Sequence, residues 1–255
     1  MQKLILVSND DSISAKGVHE LVRSLQHIGE VVCVCPENPQ SGMSMALTVN
    51  SPLRVKRLED YHGAKMFKVS GTPVDCIKIA IDNLLPRKPD IVVSGINHGS
   101  NAAINVVYSG TMGAAFEGCA YGIPSIGFSL TSHDEDADFT PCLPVVDKLG
   151  RLVLENGLPQ DVCLNVNMPA NVEIYKEMRV TKSCKGRWND GYIEYLDPAK
   201  RPFYWLSGHY VNEEPENQDT DEWCLEHGIV SIVPVKLDPT YNHPEEFTWI
   251  PNVIS

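Results

Sequence analysis

Two adjacent carboxylates, Asp10 and Asp11, directly follow a short apolar run at residues 4–7. A run of this length near the start of a chain is typical of a buried parallel strand. In open α/β sheets, ligands bind just beyond the carboxyl ends of such strands. Two ionised carboxylates about 5 Å apart repel each other by roughly 3 kcal/mol at an effective dielectric constant of about 20, so a cation is expected there. Hard carboxylate oxygens favour Mg²⁺, Mn²⁺ or Ca²⁺, and the pattern therefore predicts a divalent-cation site.

A competing interpretation is that Asp10 or Asp11 caps a helix. Capping carboxylates accept hydrogen bonds from the free N–H groups of a first helical turn. A helix is predicted soon after the pair because apolar residues recur there at helical spacing, at Val18, Leu21, Val22 and Leu25. The two carboxylates alone leave the choice between metal site and cap open.

Length and composition predict a folded globular protein. The chain has 255 residues, of which 43% are hydrophobic, enough to bury a substantial core. The first apolar stretch is too short for a signal peptide, and no later run approaches the length of a membrane span. A cytoplasmic protein with no membrane partner is expected. The 8 cysteines include no C-x-x-C pair and lie mostly in apolar segments, so we predict reduced, buried thiols.

The formal net charge of −12 restricts the partners of the chain. It argues against a nucleic-acid polymer, since non-specific affinity for one comes from clustered Lys and Arg. The same charge would repel a small phosphorylated substrate. Such a substrate would need local positive potential from a metal ion or from helix amino termini.

Strand-like and helix-like segments alternate over the first two thirds of the chain. Strands are predicted at residues 30–36, 46–49, 52–55, 66–69, 89–94, 125–130 and 161–167, and helices at 73–85, 112–121 and 142–155. Thr72, Pro73 and Asp75 form a strong start signal for the first of these helices. The alternation predicts an α/β fold that is Rossmann-like and doubly wound, with a mainly parallel sheet and helices on both faces.

The pattern changes after residue 178. Short segments there are predicted as strands of an antiparallel β-hairpin, at residues 179–181, 192–195 and 202–206, and a final buried strand is predicted at 228–235. The aromatic residues of the hairpin are expected to pack either on a neighbouring subunit or over the edge of the sheet. We therefore expect a single domain, with a catalytic core at 1–178 and a carboxyl-terminal elaboration at 179–255 that serves oligomerisation.

Three loops follow strands whose carboxyl ends should share one edge of the sheet. They carry Asp10 with Asp11, Ser41 with Gly42, and Asn97. Ser41 and Asn97 supply neutral oxygen ligands, which with two carboxylates make a four-ligand site that leaves room for water and phosphate. Taken alone, Asn97 would be an ordinary turn residue and Ser41 part of an ordinary loop.

The ordered combination of motifs resembles the SurE survival-protein family of metal-dependent, acid-phosphatase-like 5′-nucleotidases. The matching segments are Ser8-Asn9-Asp10-Asp11, Pro36 with Ser41-Gly42, Gly71-Thr72-Pro73-Val74-Asp75-Cys76, the block from Pro89 to Asn97, Tyr108-Ser109-Gly110-Thr111, Asn165-Val166-Asn167-Met168-Pro169 and residues 228–234. The resemblance covers nearly the whole chain, and its motifs are more specific in the first half.

The resemblance implies two sets of site residues. One divalent metal ion per subunit, Mg²⁺ or Mn²⁺, would be held by Asp10, Asp11, Ser41 and Asn97, with the two aspartates also catalytic. Substrate phosphate would be bound by Asn9, Gly42, Ser109, Gly110 and Thr111. It also implies homodimers or homotetramers assembled through the carboxyl-terminal extension.

The chain departs from the family pattern at three places. Ser12 stands where a glycine usually follows the two aspartates, so a differently shaped turn is expected there. Residues 102–105 lack the acidic residue that often precedes the Tyr-Ser-Gly-Thr block. The chain stops at Ser255 soon after Trp249, so the terminal helix of the family is expected to be short or absent, and its exchange between subunits is left open.

A helix start at residues 109–111 would offer N–H groups and hydroxyls to an anion, aided by the helix dipole. The alternative is a plain helix cap, which is the role we assign to the similar segment at residues 70–72. Next to Asn97, His98 is either a general acid or a solvated surface residue. Tyr108 either stacks on the base or ribose of a substrate or packs in the core.

The leading hypothesis is a divalent-metal-dependent phosphomonoesterase that converts nucleoside 5′-monophosphates to nucleoside and phosphate. By resemblance, 3′-monophosphates and short polyphosphate are further candidate substrates. Metal-bound water is favoured as the nucleophile over Asp10 or Asp11, because both carboxylates are expected to be ligands. The alternatives are a nucleotide-binding module that senses its ligand without turnover and a phosphotransferase that uses the same metal site.

Overall fold

The computed structural model describes residues 2–134, 136–240, 242–243, 246 and 249. Its strands, in chain order, are β1 (Leu4–Ser8), β2 (Glu30–Pro36), β3 (Val55–Arg57), β4 (Lys65–Val69), β5 (Ile91–His98), β6 (Ser125–Leu130), β7 (Val162–Met168), β8 (Met178–Val180), β9 (Gly186–Leu196), β10 (Pro202–Asn212) and β11 (Val230–Lys236). Its helices are α1 (Lys16–Leu25), α2 (Pro73–Ile79), α3 (Asn105–Tyr108), α4 (Gly110–Ala120), α5 (Leu143–Asn156) and α6 (Asp221–Glu226). Helix α2 continues as a π-helical turn at Ala80–Leu84, and a 3-10 turn at Thr140–Cys142 precedes α5.

A central sheet organises the described part of the chain. Its nine strands lie in the order β3-β4-β2-β1-β5-β6-β7-β11-β8. The run from β4 to β7 is parallel throughout, whereas β3 and β11 are antiparallel to their neighbours β4 and β7. The predicted Rossmann-like α/β fold with a mainly parallel sheet is confirmed.

The strand order reverses its direction between β1 and β5. From β1 the chain builds outward through β2 and β4, and it then returns to the other side of β1 to build β5, β6 and β7. Where two such halves diverge, the loops at the carboxyl ends of the strands leave a crevice that binds ligands. The loops after β1 and β5 both lie at this crevice.

The first four residues of strand β1 are apolar because both faces of the strand are covered. Ile5 and Val7 pack in a core with residues of α1 and α5, while Leu4 and Leu6 pack in a second core with residues of α2 and α4. Successive side chains of a strand point to opposite faces, so a strand covered on both faces favours apolar residues at consecutive positions. Helices therefore cover both faces of the sheet, as predicted.

The predicted start of helix α2 is confirmed. The Thr72 hydroxyl accepts a hydrogen bond from the backbone N–H of Asp75 at 3.1 Å, and the Asp75 carboxylate accepts one from the N–H of Thr72 at 2.9 Å. Pro73 follows at the first helical position, where it needs no hydrogen-bond donor. This reciprocal capping box is the structural role assigned to residues 70–72.

Strands β9 and β10 form a separate two-stranded antiparallel sheet, the predicted hairpin. Several of its large apolar side chains are exposed to solvent, among them Tyr192, Tyr204 and Trp205. The expectation that they cover the edge of the sheet is wrong, because these side chains are exposed to solvent and not packed on other described residues. Packing on a neighbouring subunit stays a prediction.

Three predicted strands differ in the structure. Residues 46–49 are not a strand but part of an irregular segment after the loop at 41–44. The strand predicted at residues 52–55 lies farther along the chain, as β3 (Val55–Arg57), and shares only Val55 with the prediction. The segment 179–181 was expected in the hairpin, but residues 178–180 form β8, which pairs in parallel with β11 at the end of the central sheet. A three-residue strand carries too little alternation to reveal its partner.

The carboxyl-terminal region is joined to the central sheet through β8 and β11. The division at residue 178 stays a prediction, and the expected short terminal helix lies outside the described residues. The cysteines at positions 33, 35, 76, 119, 142, 163, 184 and 224 are free and buried, as predicted. None of the helices within the described ranges combines the length and apolarity needed to cross a bilayer.

Close contact between α1 and β5 depends on Gly17. A Cβ atom at this position would lie 2.0 Å from the carbonyl oxygen of Ile96, the residue before Asn97. We expect Gly17→Ala to lower the free energy of unfolding by about 1–3 kcal/mol, because overpacking forces the backbone apart. Denaturant unfolding measures this loss.

Gly191→Ala is the matched control. Gly191 lies in β9 and has open space around its Cβ position, so the change should alter the free energy of unfolding by less than about 0.5 kcal/mol. Equal stabilities of the two variants would contradict the close approach of α1 to β5.

Candidate active site

Asp10 lies in the loop after β1, against the first turn of α4. It is only 4% exposed, and the Thr111 hydroxyl donates a hydrogen bond to its Oδ1 atom. A Cβ atom at Gly110 would lie 2.8 Å from both Cβ and Oδ2 of Asp10, so a residue with a side chain could not stand there unless the carboxylate moved. The carboxylate is thus held at the positive end of a helix.

Burial is the main influence on both carboxylates. It raises the pKa of Asp10 to about 6, an effect that the Thr111 hydroxyl opposes and the negative charge of Asp11 reinforces. Burial also raises the pKa of Asp11, against the lowering effect of the backbone N–H of His98, which donates to Asp11 Oδ2 at 3.1 Å. A bound cation would favour the ionised form of both groups.

The capping interpretation of the two aspartates is wrong. Helix α1 begins at Lys16 after Ala15, and no side chain caps it. Ser12 has a φ of +88°, in the region that favours glycine, so this turn has a glycine-like backbone although the residue is serine. Asn9 is buried and donates from Nδ2 to the Ser12 carbonyl at 2.8 Å, while its Oδ1 atom has no partner among the described residues.

Asn97 approaches the crevice from β5. The pairing of β5 with β6 shifts between Ser94 and Asn97, where Gly95 has a φ of +125° and the Gly95–Ile96 peptide bond is cis. The amide nitrogen of Asn97 donates to the Gly99 carbonyl at 3.0 Å. Its Oδ1 atom is therefore the end of the amide left for an acceptor or ligand role.

Backbone hydrogen bonds hold the loop at residues 41–42 beside the crevice. The N–H of Gln40 donates to the Asp10 carbonyl at 2.7 Å, and the N–H of Ser44 donates to the Tyr108 carbonyl at 3.1 Å. One bond on each side of residues 41–42 thus fixes this exposed loop, the first to the segment of Asp10 and the second to the segment of Tyr108. The loop position follows from backbone pairing and not from burial of its side chains.

A cavity of about 400 Å³ unites most of the predicted residues. Its lining includes Asp10, Ser41, Gly42, Asn97 and Ser109. The other four predicted residues are not part of this lining: Asp11 is bonded to His98, Gly110 and Thr111 lie against Asp10, and Asn9 is buried. The structure therefore brings together residues from four distant segments, as the convergence of strand ends predicts.

The predicted phosphate-binding segment also caps α4. The Ser109 hydroxyl accepts a hydrogen bond from the N–H of Met112 at 3.0 Å, so the capping interpretation of this residue is confirmed. Ser109 nevertheless lines the cavity, whereas the buried Thr111 hydroxyl is bonded to Asp10. Within this segment Ser109 has the side chain that is open to a ligand.

Neither His98 nor Tyr108 has the purely structural role that the sequence left open. His98 is not a solvated surface residue: its Nδ1 atom lies 3.8 Å from Asp11 Oδ2, and its ring meets the Phe139 ring edge-on at 4.8 Å. Tyr108 is 54% exposed, so core packing does not explain it. Both residues line the cavity.

Part of the cavity wall comes from residues that the sequence did not indicate. Trp188 and Tyr210, which are paired across β9 and β10, and Glu222 of α6 all face it. Burial raises the pKa of Glu222 to about 7, with a further contribution from the charge of Asp221. Only the aromatic content of the hairpin was visible in the sequence, and nothing there linked it to the metal-ligand loops.

Asp221 attaches this wall to the rest of the site. Its buried carboxylate accepts hydrogen bonds, all at 2.8 Å, from the N–H groups of Ala103, Cys184 and Glu222. Ala103 lies in the loop after β5, and Cys184 lies just before β9. The segment at residues 102–105 has no carboxylate of its own, and it receives one from α6 through this contact.

The charge of the cavity is unusual for a site that binds phosphate. Among the described residues that line it, none is Lys or Arg, while Asp10 and Glu222 are acidic. No group of three or more His, Cys, Asp and Glu side chains in the described ranges is arranged to hold a metal ion. The predicted ligand set does not need such a group, because Ser41 and Asn97 supply two of its four oxygens.

Comparisons with known proteins agree with the sequence motifs. Residues 5–190 match the family described as Survival protein SurE. The 5′-nucleotidase SurE of Bacteroides fragilis is 48% identical over 240 residues, which cover 94% of each chain. The 5′-nucleotidase SurE of Phocaeicola vulgatus is 44% identical over 237 residues, which cover 93% of this chain and 92% of that protein. The crystal structure of the SurE protein from Aquifex aeolicus matches with a TM-score of 0.82 at 33% identity, covering 96% of this chain and 98% of that one. The chain therefore belongs to the SurE survival protein family.

Proposed function

We propose that this protein is a divalent-cation-dependent phosphomonoesterase that releases phosphate from nucleoside 5′-monophosphates, with 3′-monophosphates and short polyphosphate as further substrates. The observation that carries the proposal is a pair of adjacent carboxylates at the switch point of the sheet, the buried Asp10 and the half-buried Asp11, beside a cavity whose described lining has no Lys or Arg. A phosphate dianion would meet no Lys or Arg in this lining, and the amino terminus of α4 offers only a partial positive charge beside two carboxylates. We therefore infer that the protein holds a cation there.

The proposed ligands of one Mg²⁺ or Mn²⁺ ion per subunit are Asp10, Asp11, Ser41 and Asn97. Asn97 supports this assignment because its amide nitrogen is bonded to Gly99, which leaves the oxygen for the cation. When bound, such an ion supplies charge neutralisation for the phosphate and lowers the pKa of a coordinated water. Burial raises the pKa of Asp10 to about 6 in the metal-free protein, and a bound cation would offset this cost by favouring the ionised form.

The proposed phosphate-binding groups lie at the amino terminus of α4. The Ser109 hydroxyl lines the cavity, and the N–H groups of Gly110 and Thr111 belong to the free first turn of a helix. Gly42 faces the same cavity, and Asn9 completes the proposed set, although its Nδ2 donor would have to turn from the Ser12 carbonyl to reach a phosphate oxygen. His98, in contact with Asp11, is the proposed donor of a proton to the leaving ribose oxygen.

Two further expectations extend the proposal. The resemblance to family members implies a homodimer or homotetramer, and the exposed aromatic side chains of the hairpin are consistent with a subunit contact. A cytoplasmic location is the second expectation. Both stay predictions.

The first test measures phosphate release from a panel of nucleoside monophosphates with Mg²⁺, with Mn²⁺ and with a chelator. We expect release with the metals and at least ~10²-fold less with the chelator, because the described lining of the cavity has no Lys or Arg to neutralise the phosphate. Asp10→Asn and Asp11→Asn should each reduce kcat/KM by at least ~10²-fold with metal present.

Asp136→Asn is the matched control for these substitutions. Asp136 is an exposed carboxylate that lines a different cavity, so this variant should keep the activity of the native protein. Full activity in chelator, or in the Asp10 and Asp11 variants, contradicts the cation-dependent mechanism. Tight nucleotide binding without any phosphate release would favour the sensing module.

The second test concerns the cost of burying Asp10 in the metal-free protein. Its folded-state pKa of about 6 lies above the ordinary value of 3.8, so ionisation favours the unfolded chain. We expect Asp10→Asn to be more stable than the native protein above pH 6 in chelator, by on the order of 3 kcal/mol at most. The asparagine oxygen can still accept the Thr111 hydrogen bond.

The pH dependence gives this second test its sign. Below about pH 4, Asp10 is protonated in both the folded and the unfolded chain, and its burial carries no ionisation cost. As the pH rises towards 6, the unfolded chain loses this proton first, so the free energy of unfolding falls. The difference between variant and native protein should therefore be small near pH 4 and reach its plateau above pH 6, as measured by denaturant unfolding. A difference that is absent at pH 7.5, or that does not shrink near pH 4, contradicts the raised pKa.

A further inference from the structure

A second cavity of about 750 Å³ adjoins the candidate active site. The two cavities share Gly42, Asn105, Tyr108 and Trp188 in their linings, so these residues stand at the junction between them. The second cavity extends from this junction along the hairpin. A molecule whose phosphate lies near Asp10 can therefore reach past the junction.

Trp188 is held in a fixed orientation at this junction. Its indole N–H donates to Asn105 Oδ1 at 2.7 Å, and its ring meets the Tyr210 ring edge-on with centroids 6.3 Å apart. Despite these contacts Trp188 remains 40% exposed. An aromatic ring that is oriented but not covered provides a flat apolar surface for a ligand at little cost in side-chain entropy.

Tyr108 is the second aromatic residue at the junction. It ends α3, and its carbonyl accepts the N–H of Ser44, so its backbone is tied to the loop that carries Ser41. Its side chain is 54% exposed and lines both cavities. The partly exposed rings of Trp188, in β9, and Tyr108, at the end of α3, thus lie at the same junction between the two cavities.

The two cavities differ in chemical character. The first has carboxylate, amide and hydroxyl groups around Asp10, whereas the second has the two rings and Leu206 as its apolar lining, with Asp190 and Ser207 as polar residues farther along the hairpin. A nucleotide has the same division, with a charged phosphate at one end and an aromatic base at the other. Bases stack on aromatic side chains whatever their identity, because each base has a π face.

We propose that Trp188 and Tyr108 form the base-binding subsite of this protein, with the phosphate at Asp10 and the ribose spanning the junction. The inference rests on the proposed function and adds the residues that select the substrate. Since stacking does not read the hydrogen-bonding edge of a base, the subsite selects for the presence of a base and not for its identity. Trp188 is a specificity-determining residue, and Asn105 is its positioning residue.

The test compares two phosphate esters, adenosine 5′-monophosphate and ribose 5-phosphate, the second of which lacks a base. A stacking contribution of 1–3 kcal/mol corresponds to about a 5- to 150-fold change in kcat/KM. With Mn²⁺ present, Trp188→Ala should lose this factor on adenosine 5′-monophosphate and at most about twofold on ribose 5-phosphate. Trp188→Phe, which keeps a ring, should retain most of the native preference.

Trp205→Ala is the matched control, because Trp205 is a 68% exposed tryptophan of the same hairpin outside both cavity linings. It should leave both kcat/KM values unchanged. An equal loss on the two substrates in Trp188→Ala overturns the subsite, since the indole would then act on the fold or on the phosphate site. An equal loss of kcat/KM on adenosine 5′-monophosphate in Trp188→Phe and Trp188→Ala also contradicts stacking.

The same proteins separate failure of the subsite from failure of the proposed function. If the native protein releases phosphate from neither ester, the phosphatase proposal fails, and calorimetric titration with both esters in Mn²⁺ decides the subsite. Weaker binding of adenosine 5′-monophosphate to Trp188→Ala, with ribose 5-phosphate unaffected, supports the subsite. Equal binding of adenosine 5′-monophosphate to native protein and Trp188→Ala overturns it.

Discussion

The burial of the Asp10 carboxylate is the constraint on which the rest of the site depends. Removing a carboxylate from water is unfavourable, and a second carboxylate follows it in the chain. The fold offsets this cost with the amino terminus of α4, the Thr111 hydroxyl and a glycine at position 110. All three features belong to the first turn of α4, which therefore lies against the end of β1 and beside the cavity.

The sequence was sufficient to predict the parallel sheet and the meeting of its loops. Uniformly apolar strands such as β1 require cover on both faces, and parallel strands place their carboxyl ends at one edge. Asp10, Ser41 and Asn97 therefore had to approach one another if the strand order was right. The same reasoning failed for residues 46–49 and 178–180, because short segments take their conformation from distant partners that a local pattern does not contain.

The second wall of the cavity was beyond sequence reasoning for a physical reason. Trp188 and Tyr210 belong to a hairpin that is separate from the central sheet, and its placement depends on long-range contacts such as those of Asp221. An aspartate that binds three backbone N–H groups has no distinctive sequence signal. The aromatic pattern of the hairpin was visible, but the cavity it faces was not.

The separation of the hairpin from the central sheet has an evolutionary consequence. Mutations on β9 and β10 can accumulate without disturbing the ladder of hydrogen bonds that supports the aspartates, because the two sheets do not share a strand. One wall of the cavity can therefore vary independently of the strand ends that carry Asp10 and Asp11.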